Sequence, residues 1–283
     1  MLKAIKYILV FFAFQILAGF FVMIPVSLLD MDYSKSMLIS LLLSDILFIS
    51  YILLSKEARP TKDSFKVRPW TLLLCCVLVW LAFFLPEVRI IETLELPDTV
   101  FKNIDTTSFY SLLGVLAIGI AGPVAEELLF RGVVLDSLLQ WDRIKGRPWL
   151  AIILSAALFS LAHLNPAQLP ASLSMGLFFG WLCYRTGSLL PGIVLHVLNN
   201  SLPCIAGMFS PEESGMESLS EYFGSPWIED ITVALSLIVC IECLVVVVKM
   251  VDRHYPLKES ARTALAESDA MDDEGSEGVA EVE

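Results

Sequence analysis

The stretch that decides the fold is Ala125-Glu126-Glu127-Leu128-Leu129-Phe130-Arg131-Gly132, which places three charges within six residues. Apolar residues dominate the sequence before it, from Leu112, and after it, to Leu139. A charge in the hydrocarbon of a bilayer costs roughly 3 kcal/mol on insertion scales. We therefore interpret the rest of the chain as a scaffold that tolerates these charges and uses them.

The composition is that of a membrane protein. Of the 283 residues, 56% are hydrophobic, and the mean hydropathy is +0.72. Soluble domains are nearer to about 45–50% apolar. Charged residues make up only 18% and cluster between long apolar runs. The six cysteines all lie in apolar segments, which is not the pattern of a disulfide framework. The sequence predicts an all-α, polytopic transmembrane helix bundle.

Eight apolar segments are long enough to be read as membrane spans. The first follows two lysines, as a signal peptide would, but it is too long for one and no small-residue cleavage site follows it, so we expect a retained helix. Spans 5 and 6 are short and could be tilted or partly re-entrant. The predicted spans cover residues 4–26, 37–54, 70–85, 108–140, 149–164, 170–184, 189–208 and 231–248.

The distribution of basic residues predicts the orientation. With eight spans and a cytoplasmic N-terminus, all but three of the 19 Lys and Arg residues face the cytoplasm. The exceptions are Lys35, Arg89 and Lys102. Both termini are therefore predicted to be cytoplasmic. The absence of an organelle signal favours a bacterial plasma membrane.

We divide the chain into four parts. Residues 1–107 hold spans 1–3 with their loops, and residues 108–207 hold spans 4–7, where the charged and polar motifs lie. Residues 208–256 comprise an acidic outer loop and span 8. Residues 257–283 are rich in Asp, Glu, Ser, Gly and Ala without an aromatic residue, which predicts a disordered acidic tail.

The first motif is Glu126-Glu127-x-x-x-Arg131 in span 4. Residues four apart lie on one face of a helix, so Glu127 and Arg131 can form an ion pair within their own helix. Glu126 is turned about 100° from Glu127 around the helix axis. The motif therefore predicts one carboxylate paired with Arg131 and another that is left free.

Two further motifs lie in spans 5 and 7. They are Phe159-x-x-x-His163 and His196-x-x-x-Asn200, each with the spacing of one helical face. The chain has only three histidines, and two of them are in these apolar spans. If span 4 is a long helix that ends near residue 141, Glu126 and these side chains can share one layer of the bundle.

This set of side chains suits the hydrolysis of an amide. A carboxylate or a histidine in a membrane interior can take a proton from water, and a histidine with an asparagine amide can donate hydrogen bonds to an oxyanion. Gly-x-Ser-x-Gly and His-Glu-x-x-His are both absent from the sequence. Glu126, His163 and His196 could also bind zinc, so the residues alone leave a metal mechanism open.

The three motifs, in this order on separate helices, resemble those of the CPBP family. This family comprises the type II CAAX prenyl proteases and the bacteriocin-processing intramembrane proteases, also called the Abi family. The resemblance covers about residues 108–207 and implies an intramembrane endopeptidase. It implies that Glu126 and His163 activate the attacking water and that His196 and Asn200 form the oxyanion hole. The supporting residues would be Glu127, Arg131 and Phe159, and we favour a mechanism without a metal cofactor.

Two other functions are compatible with the sequence. One is a catalytically silent membrane scaffold or bacteriocin-immunity protein with the same fold, and the other is an ion-coupled transporter, in which membrane carboxylates relay protons. Asp45 and Glu242 are lone acids in spans 2 and 8, which we interpret as helix–helix or cavity-facing groups. The expected partners are the lipid bilayer and a peptide or membrane-protein substrate, and no nucleic acid.

Overall fold

The computed structural model describes residues 1–29, 32–100, 106–209 and 218–257. Within these ranges every regular element is a helix, which confirms the all-α prediction. Short helices cover Lys62–Phe65, Thr106–Phe109, Pro166–Gln168 and Leu219–Phe223. The eight long helices are α1 (Leu2–Leu29), α2 (Tyr33–Leu54), α3 (Thr71–Leu94), α4 (Leu112–Leu139), α5 (Pro148–Ala162), α6 (Leu169–Thr186), α7 (Leu190–Phe209) and α8 (Pro226–His254).

Each predicted span corresponds to one of these helices. Six of them, α1–α4, α7 and α8, are long and apolar enough to cross a membrane. Helix α5, with 15 residues, is a shorter apolar helix, and α6 is not among those six either, so the count of eight crossings stays a prediction. Helix α8 exposes Ile231, Leu235 and Ile238, as a lipid-facing helix would. The chain is an integral membrane protein.

Both described ends of the chain lie at the same end of the bundle. Lys3 Nζ, near the N-terminus, is 3.4 Å from the Asp136 carboxylate near the end of α4. At the C-terminal end of α8, Asp252 accepts a 2.7 Å hydrogen bond from Arg185, near the end of α6. The loop between α2 and α3 lies at the same end of the bundle. There the Ser64 carbonyl oxygen accepts a hydrogen bond from the backbone N–H of Leu189, which directly precedes α7. This arrangement fits an even number of crossings, and the cytoplasmic assignment remains a prediction.

The helices that precede the motif-bearing part pack against it. Helix α1 packs along α2, both contact α4, and α3 packs along α8. At the opposite end of the bundle, Arg89 of α3 donates a 2.7 Å hydrogen bond to Glu229 of α8. The four-part division of the chain stays a prediction. The predicted acidic tail lies, from residue 258 onward, outside the described residues.

Helix α4 is a single long helix with two wider turns. The segments Val115–Ala121 and Phe130–Leu135 are π-helical, and Gly122–Leu129 between them is α-helical. Single π turns inside α-helices are frequent at functional sites. Glu126 and Glu127 lie in the regular segment, so their side chains diverge as predicted. The helix also extends to Leu139, so span 4 is the long helix considered from the sequence, and Glu126 lies near its middle.

Helices α5 and α6 lie unusually close together. A Cβ atom on Gly176 of α6 would lie 2.8 Å from the Cβ atom of Ala156 and 2.9 Å from its Cα atom in α5. Small residues allow helix backbones to approach in this way within membranes. This close packing holds Phe159 of α5 against the interior of the bundle, where its ring is fully buried.

Candidate active site

A buried ion pair forms the base of the site. Arg131 Nη1 donates a 2.7 Å hydrogen bond to Glu127 Oε1, and the two side chains are 1% and 0% exposed. The guanidinium carbon lies 4.4 Å from the ring centre of Phe159 and 5.5 Å from that of Phe179, within the range of cation–π attraction. The structure thus contains the ion pair that the four-residue spacing predicts, with two aromatic faces around its cation.

His196 lies between the two glutamates. Its Nδ1 atom is 3.1 Å from Glu127 Oε1, and its Nε2 atom is 3.7 Å from Glu126 Oε2. The Glu127 carboxylate already accepts from Arg131 and offers no proton, so His196 Nδ1 must be the donor in this hydrogen bond. Glu127 therefore orients His196 as well as pairing with Arg131. The sequence had assigned Glu127 to the arginine alone, because nothing in it reveals a contact between α4 and α7.

Glu126 is the more accessible of the two glutamates. Its side chain is 23% exposed, and its separation from His196 Nε2 exceeds hydrogen-bonding distance. The described residues give it no direct hydrogen bond. A carboxylate that faces a histidine across a short gap and has free lone pairs can bind a water molecule there.

His163 follows the last residue of α5 and is half-buried. Its Nδ1 atom is 3.0 Å from the Phe159 carbonyl oxygen, which can only accept, so Nδ1 carries the proton of this bond. In the neutral ring, Nε2 then holds a free lone pair. The Phe159 ring lies edge-on to both histidines, with centroid distances of 5.0 Å to His163 and 5.6 Å to His196. Phe159 therefore joins the second motif to the glutamates of the first.

Asn200 is held by a chain of amide hydrogen bonds. Trp80 Nε1 of α3 donates to Asn199 Oδ1 at 3.1 Å, and Asn199 Nδ2 donates to Asn200 Oδ1 at 3.1 Å. Asn200 Nδ2 then donates to the Ile118 carbonyl oxygen at 3.3 Å, in the first π-helical segment of α4. These bonds fix the amide orientation and leave one N–H of Asn200 for another acceptor. Neither Trp80 nor Asn199 was identified from the sequence.

Replacing Asn199 by leucine tests this chain of hydrogen bonds. The substitution keeps the side-chain size and removes the donor that orients Asn200. One hydrogen bond stabilises by about 1 kcal/mol, so for a reaction that uses the Asn200 amide we expect the turnover rate kcat to fall about five- to tenfold, with KM little changed. Trp80→Phe, which removes only the first donor, should have a smaller effect in the same direction. Unchanged kcat in both variants would show that the function of Asn200 does not depend on these hydrogen bonds.

Gly192 of α7 makes the close approach to Glu127 possible. A Cβ atom at Gly192 would lie 2.7 Å from Glu127 Oε2 and 3.4 Å from the Cβ atom of Phe179. Among the described residues, Oε2 of this carboxylate has no hydrogen-bond partner, although it is buried. Sequence reasoning missed both Gly192 and Phe179, since neither lies in a motif and their role depends on a contact between helices.

Gly192→Ala should disturb the position of the Glu127 carboxylate. The methyl group would push the Glu127 carboxylate, which Arg131 and His196 hold on its other oxygen. Inserting a methyl group into a packed interior costs typically about 1–3 kcal/mol, and we expect a loss of activity of at least about tenfold. Gly132→Ala is the matched control, because a Cβ atom there would have its nearest contact at 3.6 Å, ordinary van der Waals distance. Equal kcat and equal thermal stability of the two variants would contradict this role of Gly192.

The described side chains do not form a set of ligands that suits zinc. In the described parts of the chain, no group of three or more His, Cys, Asp and Glu residues is arranged to hold a metal ion. Glu126, His163 and His196 therefore do not converge in the way that a tetrahedral zinc site requires.

The fold and the site together define a polytopic membrane protein with a cluster of ionisable side chains inside its helix bundle. Residues 108–202 match the family model of Rce1-like type II CAAX prenyl endopeptidases. The matched segment contains all three motifs. This match confirms the predicted resemblance to the CPBP family over this segment of the chain.

A curated relative agrees with this family. Over 102 residues the chain is 31% identical to the membrane-embedded CAAX protease MroQ of Staphylococcus aureus (strain USA300). The alignment covers 35% of this chain and 40% of that protein, so the chain spans about two fifths of the length of the relative. No solved structure matches the chain significantly.

Proposed function

We propose that this protein is an intramembrane endopeptidase that hydrolyses a peptide bond with water as the nucleophile. The observation that carries the proposal is the position of His196. Two glutamates of one helix face its two ring nitrogens, at 3.1 Å and 3.7 Å, inside the segment that matches the family model. A silent scaffold would have no need of such a costly arrangement, because buried ionisable groups in membranes usually mark a functional site.

Glu126 and His163 would activate the water. Glu126 has free lone pairs, and His163 Nε2 is left as an acceptor by the bond from Nδ1 to the Phe159 carbonyl. In the proposed reaction the water oxygen attacks the carbonyl carbon while its proton moves to one of these two groups. The same proton is then given to the amide nitrogen, the C–N bond breaks, and an acid and an amine leave.

His196 and Asn200 would stabilise the oxyanion. Asn200 has one N–H left after its bond to Ile118 O. His196 donates through Nδ1 to Glu127, so its Nε2 can donate as well only when the ring is an imidazolium. Its positive charge, with that of Arg131, would balance the charges of Glu126 and Glu127. Donors fixed in advance at the place where charge develops typically lower the barrier by about 3–4 kcal/mol each.

The substrate is proposed to be a peptide or a membrane protein in a bacterial plasma membrane. The bacterial origin of the MroQ match favours this location. The purified protein in liposomes should be given three substrates: a prenylated peptide with a CAAX-type end, the same peptide without the lipid, and a single-span membrane peptide. Mass spectrometry should detect two complementary products from at least one of them. Binding of intact peptides without any cleavage would instead favour the silent scaffold.

The same assay tests the proposed independence from metal. A strong zinc chelator is expected to leave the cleavage rate unchanged, because no step of the proposed mechanism uses a metal ion. The control is a chelator already saturated with zinc. Loss of activity with the free chelator, restored by added zinc, would overturn the metal-free mechanism.

A further inference from the structure

Asp45 of α2 is a buried acid that the mechanism above does not use. Its side chain is only 3% exposed, and it lies outside the segment that matches the protease family. Among the described residues it has no hydrogen-bond or salt-bridge partner. The neighbouring Ser44, in contrast, has a hydrogen-bond partner, because its hydroxyl donates to Leu41 O of the same helix at 2.8 Å.

The side chain of Asp45 points towards the helix that carries Glu126. A Cβ atom built on Gly122 of α4 would lie 3.7 Å from Asp45 Oδ2. Gly122 is four residues before Glu126, so the two positions lie on one face of α4, one turn apart. Asp45 also lies close enough to Glu126 for an electrostatic interaction. Among the described residues, Glu126 is the titratable group with which Asp45 interacts in this way. The two carboxyl groups therefore border the same space.

Packing alone does not account for an acid in this position. A buried polar group without a partner costs typically about 1–3 kcal/mol, and a membrane interior offers no bulk water to satisfy it. An apolar side chain of similar size would pack against Gly122 without that cost. An unpartnered acid beside the proposed catalytic carboxylate is well placed to bind a water molecule or a ligand during function.

We propose that Asp45 is a third acid of the active site, which holds the attacking water by a hydrogen bond together with Glu126. Glu126 would accept the proton of this water, and Asp45 would fix its position in line with the substrate carbonyl. This inference rests on the proposed hydrolytic function. It adds to the site a residue from a helix that precedes the family domain.

Asp45→Ala and Asp45→Asn test the inference. Asp45→Ala should lower kcat at least about tenfold and leave KM within about threefold, because it removes a hydrogen bond to the nucleophile and none to the substrate. Asp45→Asn keeps an oxygen acceptor of the same shape and should recover a substantial part of the rate. The melting temperature of both variants should stay close to that of the wild type, since the Asp45 side chain makes no hydrogen bond or ion pair with another described residue that the substitutions could break.

Ser44→Ala is the matched control, and its kcat should stay within about twofold of wild type, since its hydroxyl is satisfied within its own helix. A purely structural role of Asp45 predicts a lower melting temperature together with lower activity, and this result would overturn the inference. Wild-type kcat in Asp45→Ala would overturn it as well and leave the proposed function intact. If the wild type itself cleaves no substrate, the proposed function fails first.

Discussion

Glu126→Gln is expected to lower the single-turnover cleavage rate by about 10²–10⁴-fold, the usual contribution of a general base. Glutamine keeps the shape of the side chain and cannot accept the proton of the attacking water at neutral pH. The folded protein should be unaffected, because Glu126 is partly exposed and makes no direct hydrogen bond with the described residues. The rate should be measured with purified protein in liposomes, and thermal unfolding of the same samples should be followed.

The chain offers a matched control for this substitution. Glu242 lies in the middle of α8, and its side chain is exposed. The sequence had suggested a helix–helix or cavity contact for this residue, and its exposed side chain corrects that interpretation. Glu242→Gln removes the same charge from the membrane region and should keep the rate within about twofold of wild type, since it touches no reacting group. Equal rates for Glu126→Gln and Glu242→Gln would remove Glu126 from the mechanism.

Arg131→Met is expected to cause the largest loss of stability. Removal of one partner from a buried ion pair typically costs about 3–5 kcal/mol, because the other charge is left uncompensated. Here the remaining group is the Glu127 carboxylate, fully buried and with one oxygen already without a partner. Thermal unfolding in one fixed detergent should show a much lower midpoint than that of the wild type.

The double variant Glu127→Gln with Arg131→Met separates charge from packing. Both charges are removed, so most of the lost stability should return, and the coupling between the two sites measures the interaction. Activity should not return with it, because the carboxylate that orients His196 and balances its charge is gone. A single variant as stable as the wild type, or a double variant less stable than the single one, would contradict the role of this ion pair.

Much of the fold could be predicted from the sequence because lipid imposes a simple rule on it. Segments such as α2 and α8 must be long and apolar to cross a membrane, and this is visible without any tertiary information. The ion pair of Glu127 with Arg131 could be predicted for a related reason, since a spacing of four is a local property of a helix. The ends of the helices are less visible, and α8 continues at both ends beyond the predicted 231–248.

Contacts between distant helices could not be predicted from these rules. His196 and Glu127 are 69 positions apart, and only the packing of α7 on α4 brings them to 3.1 Å. The role of Gly192 could not be predicted for the same reason. It matters because a glycine has no Cβ atom to collide with the Glu127 carboxylate of another helix. Asp45 appeared in the sequence as a lone acid, and its place beside Gly122 depends on how α2 meets α4. Periodicity predicts which face of a helix is polar and leaves open what that face meets.

In the proposed mechanism, water attacks the peptide bond directly, without a covalent intermediate on the protein. The measurement that tests it most directly is single-turnover cleavage in H₂¹⁸O, with mass spectrometry of the products and of the intact protein after rapid acid quenching. We predict one ¹⁸O atom in the new C-terminal carboxylate and an unchanged protein mass at every time point. A transient gain in protein mass equal to the acyl half of the substrate would contradict the claim and identify a protein side chain as the nucleophile.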